Sequence, residues 1–186
     1  CTYGGQKSYP SKPVGFAAVS IQDEFWKPRI ETNRRVTLSH NFRMCEQTGR
    51  ISNFAKADGL MKGKFEGIHF NDSDVYKVIE GAAYSLALHP DPELEKIVDE
   101  VIVKIAAAQE KDGSLYTYRT MDPEKAKKIS EGKRWSRLHY NHELYCVGHL
   151  YEGAVAYYQT TGKRTLLDVA LKNAELIDAV FGCGKK

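Results

Sequence analysis

The densest run of chemically capable side chains is Trp135-Ser136-Arg137-Leu138-His139-Tyr140-Asn141-His142-Glu143-Leu144-Tyr145-Cys146-Val147-Gly148-His149, which holds three of the six histidines. On a helix, His142, Cys146 and His149 stand at i, i+4 and i+7 on one face. Zinc accepts such donors. The third donor, however, lies a turn too far along for easy tetrahedral closure. Nor is this the paired-histidine motif of zinc proteases, because Cys146 stands where the second histidine should be. A mixed structural and substrate-binding role is the preferred reading, and no metal ligand is assigned.

Carboxylates offer a second chemistry. Glycoside hydrolysis usually needs two, about 5 Å apart for retention or about 6.5–9.5 Å for inversion. Glu80 and Glu152 occupy equivalent places in an internal repeat, but bridging or capping neighbouring helices explains them better. Asp72, Asp74 and Glu143 lie near expected helix starts, where negative charge is favourable in itself. Spacing alone therefore fixes no catalytic pair. Five of the eleven tyrosines fall between 140 and 158. With Trp135 they offer flat apolar faces with polar tips, which suit sugar rings; packing is preferred for Tyr151 and Tyr158. No phosphate-binding loop, dinucleotide glycine motif or nucleophile elbow is present.

The elements that must position these residues are helical. A first helix is expected from Asp23, with Pro28 in its first turn, to Thr48-Gly49. Residues 50–71 read as a long loop. A second helix runs from about Asp74 to Leu88, opened by Asp72, Ser73 and Asp74 and ended by Pro90. Asp91-Pro92-Glu93 opens a third, whose Leu94, Ile97, Val98, Val101, Ile102 and Ile105 form a one-sided stripe. After another expected loop over 110–140, a fourth helix covers Asn141 to Thr160. A fifth covers Thr165 to Phe181, with Leu166, Val169, Ala170, Asn173, Ile177 and Val180 facing inward. No segment alternates with period two, so the class is all-α.

A shift of 72 residues places Glu80-Gly81-Ala82 on Glu152-Gly153-Ala154 and Leu94 on Leu166, which marks stacked helical hairpins. The third and fifth helices are one-sided and belong outside. The fourth is apolar or small nearly all round and belongs inside. That layering implies part of an α/α toroid; an open superhelix with a groove is the competing layout. Residues 1–20 read as a flexible segment and 21–186 as the toroid part.

At 186 residues and net charge +3, with 42% hydrophobic side chains, the composition is that of an ordinary globular chain. No apolar run approaches the about 20 residues of a membrane-spanning helix. The main basic cluster, Lys125, Lys127, Lys128, Lys133, Arg134 and Arg137, is interrupted by Glu131 and reads as a solvated loop, not a nucleic-acid face. The cysteines at 1, 45, 146 and 183 form no close pair. A chain beginning at Cys1 is consistent with a lipid-bearing cysteine after signal removal, or with a cut boundary. The first alternative makes residues 1–20 a tether.

Two blocks carry a family likeness. Asn71-Asp72-Ser73-Asp74-Val75-Tyr76-Lys77 with Glu80-Gly81-Ala82-Ala83-Tyr84, and Asn141-His142-Glu143-Leu144-Tyr145-Cys146-Val147-Gly148-His149-Leu150-Tyr151-Glu152-Gly153-Ala154, together resemble glycoside hydrolase family 127. The likeness covers most of residues 20–182. It implies an (α/α)6 barrel followed by β-sandwich domains. It also implies a retaining β-L-arabinofuranosidase activity, with a zinc-held cysteine nucleophile and a separate glutamate acid/base. Carried over residue by residue, it implies that His142 touches the sugar. Asp74 and Tyr76 belong to the binding block, Trp135 or Tyr145 line the entrance, and Glu143 and His149 support from behind. The nucleophile, acid/base and zinc ligands of the family lie beyond the matched region, so no catalytic residue and no metal ligand is expected here, and this chain alone is expected to be inactive. The partner implied is an arabinose-containing glycan. An exported bacterial protein and self-association through an open toroid edge are further expectations. A non-catalytic helical-repeat module binding a glycan or peptide is the alternative.

Overall fold

The structure, a computed structural model, describes residues 11–130 and 133–184. Residues 1–10, Cys1 and the first half of the expected tether, lie outside the described residues. A 3-10 turn at Phe16–Ala18 precedes α1, Trp26–Thr32, which continues through a π-helical stretch, Asn33–Thr37, into α2, Leu38–Gln47. Asp23 opens this long element by accepting from the backbone N–H groups of Phe25 and Trp26.

Residues 50–71 differ from the loop expected there. Arg50–Ala57 forms α3, whose Ile51, Asn53, Phe54 and Ala55 are all buried. The glycines of this stretch, Gly59, Gly63 and Gly67, all lie beyond it. Gly49, with φ 78°, ends α2 in the left-handed conformation that glycine adopts without strain. The remaining loop is pinned by Asn53, whose side chain exchanges hydrogen bonds with the backbone of Glu66 at 2.9 and 3.1 Å.

The two hairpins follow as the repeat implied. α4 is Asp72–Leu88, α5 Pro92–Ala108, α9 Glu143–Thr161 and α10 Thr165–Phe181. The Asp91 carboxylate caps α5 by accepting from Leu94 N at 3.1 Å. Between the hairpins, residues 110–140 are not one loop. They carry α6, Thr117–Met121, α7, Pro123–Ser130, and α8, Leu138–Asn141. Tertiary contacts select these short turns, which have little periodic signal of their own.

Three successive contacts set the relation of α4 and α9. Cys146 Sγ donates to Phe70 O, Gly153 abuts the Tyr76 carbonyl, and Thr160 Oγ1 donates to Ala83 O. The pairing advances in the same direction along both helices, so they run parallel and start at the same end. A Cβ on Gly153 would stand 3.0 Å from Tyr76 O, so glycine allows the close crossing. α5 and α10 return on the outer side, each packed on its own hairpin partner and on the other. The core is one cluster, with Phe54, Tyr76, Ile79, Val98, Ile105, Leu150, Tyr157 and Leu166 nearly sealed.

One expectation is corrected by this packing. α9 is not buried all round. Cys146, Leu150, Ala154 and Tyr157 face the core, whereas Tyr145, Val155 and Tyr158 are exposed. Its apolar exterior is a real surface, shared with Tyr84 of α4. Ile97, read into the α5 stripe, is also exposed, because Leu94, Val98, Val101, Ile102 and Ile105 already fill that helix's buried face. Among the described residues there is no strand, and no helix is long and apolar enough to cross a membrane.

Candidate functional site

Because α4 and α9 are parallel, their first turns lie side by side, and residues 110–140 cross beside them. Two buried acids make that crossing firm. Asp72 accepts from Thr117 N at 2.8 Å and from Thr117 Oγ1 at 2.5 Å. Burial raises its pKa to about 6, against the lowering effect of those two hydrogen bonds. Glu143 accepts from the Arg119 guanidinium at 2.8 and 3.1 Å, and its other oxygen accepts from Trp135 N at 2.9 Å. The side chains of Arg119 and Glu143 are 14% and 5% exposed, so this is a charge-assisted pair largely out of water.

Above these acids lies a rim of rings. His142 does not continue α8 into α9; it breaks them apart with φ 59° and ψ 20°. A histidine held in the left-handed region costs on the order of 1 kcal/mol or more, so the surroundings must fix it. They do so through Phe70, stacked on the imidazole at 4.4 Å, and Tyr145, edge-on at 5.9 Å. His142 Nδ1 and His69 Nε2 both reach the Tyr140 carbonyl, at 2.7 and 3.2 Å. A carbonyl only accepts, so both nitrogens donate. In the neutral rings, His142 Nε2 and His69 Nδ1 are then acceptors.

A charged arm adjoins the rim. Asp74 accepts from Arg50 Nε at 2.7 Å, and Lys77 stands 3.8 Å from the same carboxylate. Lys77 Nζ also donates to the Tyr145 hydroxyl at 2.7 Å. Tyr145 is 43% exposed and presents its ring outward. The rim therefore combines acceptor nitrogens, a carboxylate, an ammonium group and flat aromatic faces, the set that binds a ligand rich in hydroxyls.

The structure brings His142 and Tyr145 together, with Asp74 joined to them through Lys77. It does not bring the other two named residues to the rim. Tyr76 is 1% exposed, its ring 5.8 Å from Phe54, because its position on α4 points into the core. Trp135 turns its indole onto Phe181 of α10 at 5.7 Å, while its backbone N–H serves Glu143. Of the supporting residues, Glu143 lies beneath the rim, and His149 lies farther along α9, its ring 4.7 Å from Tyr145. His142, Cys146 and His149 do not converge. The left-handed turn at His142 displaces it, and Cys146 faces the core. Sequence reasoning missed Phe70, His69, Arg50 and Arg119. His69 and Phe70 could have been suspected from their place beside Asn71-Asp72; Arg50 and Arg119 come from distant segments and leave no local signal.

The two cysteines that are free in the described residues do not offer a ready thiolate. Burial pushes Cys45 up to about 11 and Cys146 well above the usual thiol range. Neither fits a zinc-held nucleophile.

Residues 18–184 match the family model described as the β-L-arabinofuranosidase GH127 catalytic domain. A curated relative, the non-reducing end β-L-arabinofuranosidase of Bifidobacterium longum subsp. longum, is 44% identical over 132 residues, 71% of this chain and 20% of the relative. A solved GH127 β-arabinofuranosidase superposes with a TM-score of 0.85 and 47% identity, over 94% of this chain and 28% of that one. A GH127 β-L-arabinofuranosidase from Geobacillus stearothermophilus T6 gives 0.82 and 43%, over 89% and 26%. The chain thus spans 20–28% of the length of these relatives, their N-terminal part.

Proposed function

Because the chain belongs to the β-L-arabinofuranosidase GH127 catalytic-domain family, we propose that its rim around His142 binds a terminal β-L-arabinofuranosyl group in a retaining glycoside hydrolase with an α/α toroid. The observation that carries this reading is the fixed imidazole. His142 is clamped by Phe70 and by its hydrogen bond to Tyr140 O, leaving Nε2 to accept from a sugar hydroxyl. Tyr145 offers a flat face beside it, and Lys77 and Asp74 a donor and an acceptor. The rim's carboxylate, Asp74, is engaged by Arg50 and Lys77, and this reading gives it a binding role. In this reading the bond-breaking groups, zinc included, come from parts of the enzyme other than Cys45 and Cys146, and this chain orients the sugar.

The test is calorimetric titration of the 186-residue chain with methyl β-L-arabinofuranoside. Saturable binding, weakened at least about tenfold in His142→Ala, is expected from the loss of one buried hydrogen bond and a ring contact. Equal affinity in both proteins overturns the reading. The same proposal places the protein outside the cytoplasm of a bacterium. Fractionation of source cells tests this, and recovery in the cytoplasm alone contradicts it. Self-association through the exposed Tyr84, Val155 and Tyr158 surface is supported by its apolar character. Sedimentation showing only monomer at high concentration counts against it.

A further inference from the structure

The close crossing at Gly153 gathers a second polar group, farther along α4 and α9 than the rim. Glu80 of α4 and His149 and Glu152 of α9 place one ligand atom each within 4.8 Å of one another. Among the described residues this is the only group of three or more histidine, cysteine or carboxylate donors with that property. The spacing follows from the fold. His149 and Glu152 are one turn apart on α9, and Gly153 lets the Glu80 segment of α4 come against them.

The donors are individually prepared. The Tyr84 hydroxyl donates to Glu80 Oε1 at 2.8 Å, which fixes that carboxylate and leaves its other oxygen available. Tyr145 holds the His149 ring edge-on. His149 Nδ1 is buried as an atom, stands 3.2 Å from Glu152 Oε2, and has no hydrogen-bond partner of acceptable geometry. A buried ring nitrogen beside a carboxylate and without a hydrogen bond, with a second carboxylate close by, is a position where a cation satisfies all three groups at once.

We propose that Glu80, His149 and Glu152 form a binding site for a divalent transition-metal ion of the zinc class. Zinc bound by imidazole nitrogen and carboxylate oxygen at about 2.0–2.2 Å sets neighbouring ligand atoms roughly 3.3–3.5 Å apart in a tetrahedron. The His149–Glu152 distance, 3.2 Å, is close to this, and the Glu80 ligand atom lies within 4.8 Å of both. The imidazole selects zinc, cobalt or nickel over magnesium or calcium, which prefer oxygen alone. Water completes the coordination on the exposed side. Tyr84 acts as the outer partner that orients one ligand. None of its three ligands belongs to the rim at His142, although Tyr145 touches both His142 and His149, and it uses no cysteine. Its place between two inner helices gives it a structural role, tying α4 to α9.

Zinc chloride titrated into the 186-residue chain near neutral pH is expected to show one saturable site per chain. His149→Ala abolishes it. Glu152→Gln, at an exposed position that folding tolerates, weakens it, and Tyr84→Phe weakens it about tenfold. His142→Ala leaves it in place, which separates it from the imidazoles of the rim. Cobalt(II) gives the intense visible absorption of a four-coordinate centre in the parent chain and not in His149→Ala. Absence of a saturable site, or zinc affinity unchanged in both His149→Ala and Glu152→Gln, overturns the proposal. Because the readout is metal binding, failure of sugar binding at His142 leaves this result independent.

Discussion

The first turns of α4 and α9 solve one problem in two ways. Each buries an acid, Asp72 or Glu143, and each uses it to hold the crossing segment 110–140. Asp72 meets only the neutral donors of Thr117, so burial wins and its pKa rises to about 6. Glu143 meets the full positive charge of Arg119 as well as a backbone N–H. The difference teaches that burial pushes an acid's pKa up where its partners are neutral donors, while a charged partner makes the contact an ion pair. One latch is held by an ion pair, the other by neutral hydrogen bonds and by a proton that is taken up near pH 6.

The largest effect should come from breaking the charged latch. Glu143→Ala leaves Arg119 uncompensated and Trp135 N without its acceptor, and is expected to cost about 3–5 kcal/mol in urea unfolding. A loss below about 1 kcal/mol would mean that the pair is no stronger than a surface contact. Next comes the neutral latch. The folded pKa of Asp72, about 6, exceeds its ordinary 3.8, so the folded state binds the proton more tightly. The associated stability is therefore fully present below about pH 4 and lost as pH rises through about 6, by about 2–3 kcal/mol. Asp72→Asn should flatten that part of the profile of Tm against pH. An unchanged slope contradicts the assignment.

Gly153→Ala tests the crossing that holds the two first turns side by side. Its Cβ would meet Tyr76 O at 3.0 Å, and a backbone carbonyl cannot swing away, so about 1–3 kcal/mol should be lost. The smallest effect sharpens the comparison. Thr117→Val removes one donor from Asp72, costs about 1 kcal/mol, and moves the pH window upward, visible in the same Tm profile. A downward move would show that the hydroxyl does not serve the carboxylate.

Much of the fold is legible in the sequence, and for definite reasons. α5 and α10 announce themselves by one-sided apolar periodicity and α5 by the Asp91-Pro92 start, which are local signals. α3 was hidden because eight residues between glycines give too short a window for periodicity, and its order comes from Asn53 and Phe54 packing on distant parts. Residues 110–140 were illegible for the same reason: their turns exist because Asp72 and Glu143 hold them. Within the site, a run containing His142, Glu143 and Tyr145 is conspicuous in one dimension. Asp72 is less so, because it reads as a helix-start charge and is in fact a buried acceptor with no cap bond of its own. Phe70 and His69 adjoin the conspicuous Asn71-Asp72 in sequence, but their part in the site becomes plain only when the parallel pairing of α4 and α9 sets residue 70 beside residue 146.

The central claim is that the two latches hold the His142 imidazole ready for a sugar hydroxyl. The most direct measurement is an NMR titration of the 186-residue chain with methyl β-L-arabinofuranoside, following the ring signals of His142, Tyr145 and Phe70. The account predicts saturable shifts confined to these rings and to Lys77. Saturable shifts centred elsewhere, with the His142 ring unmoved, would contradict it.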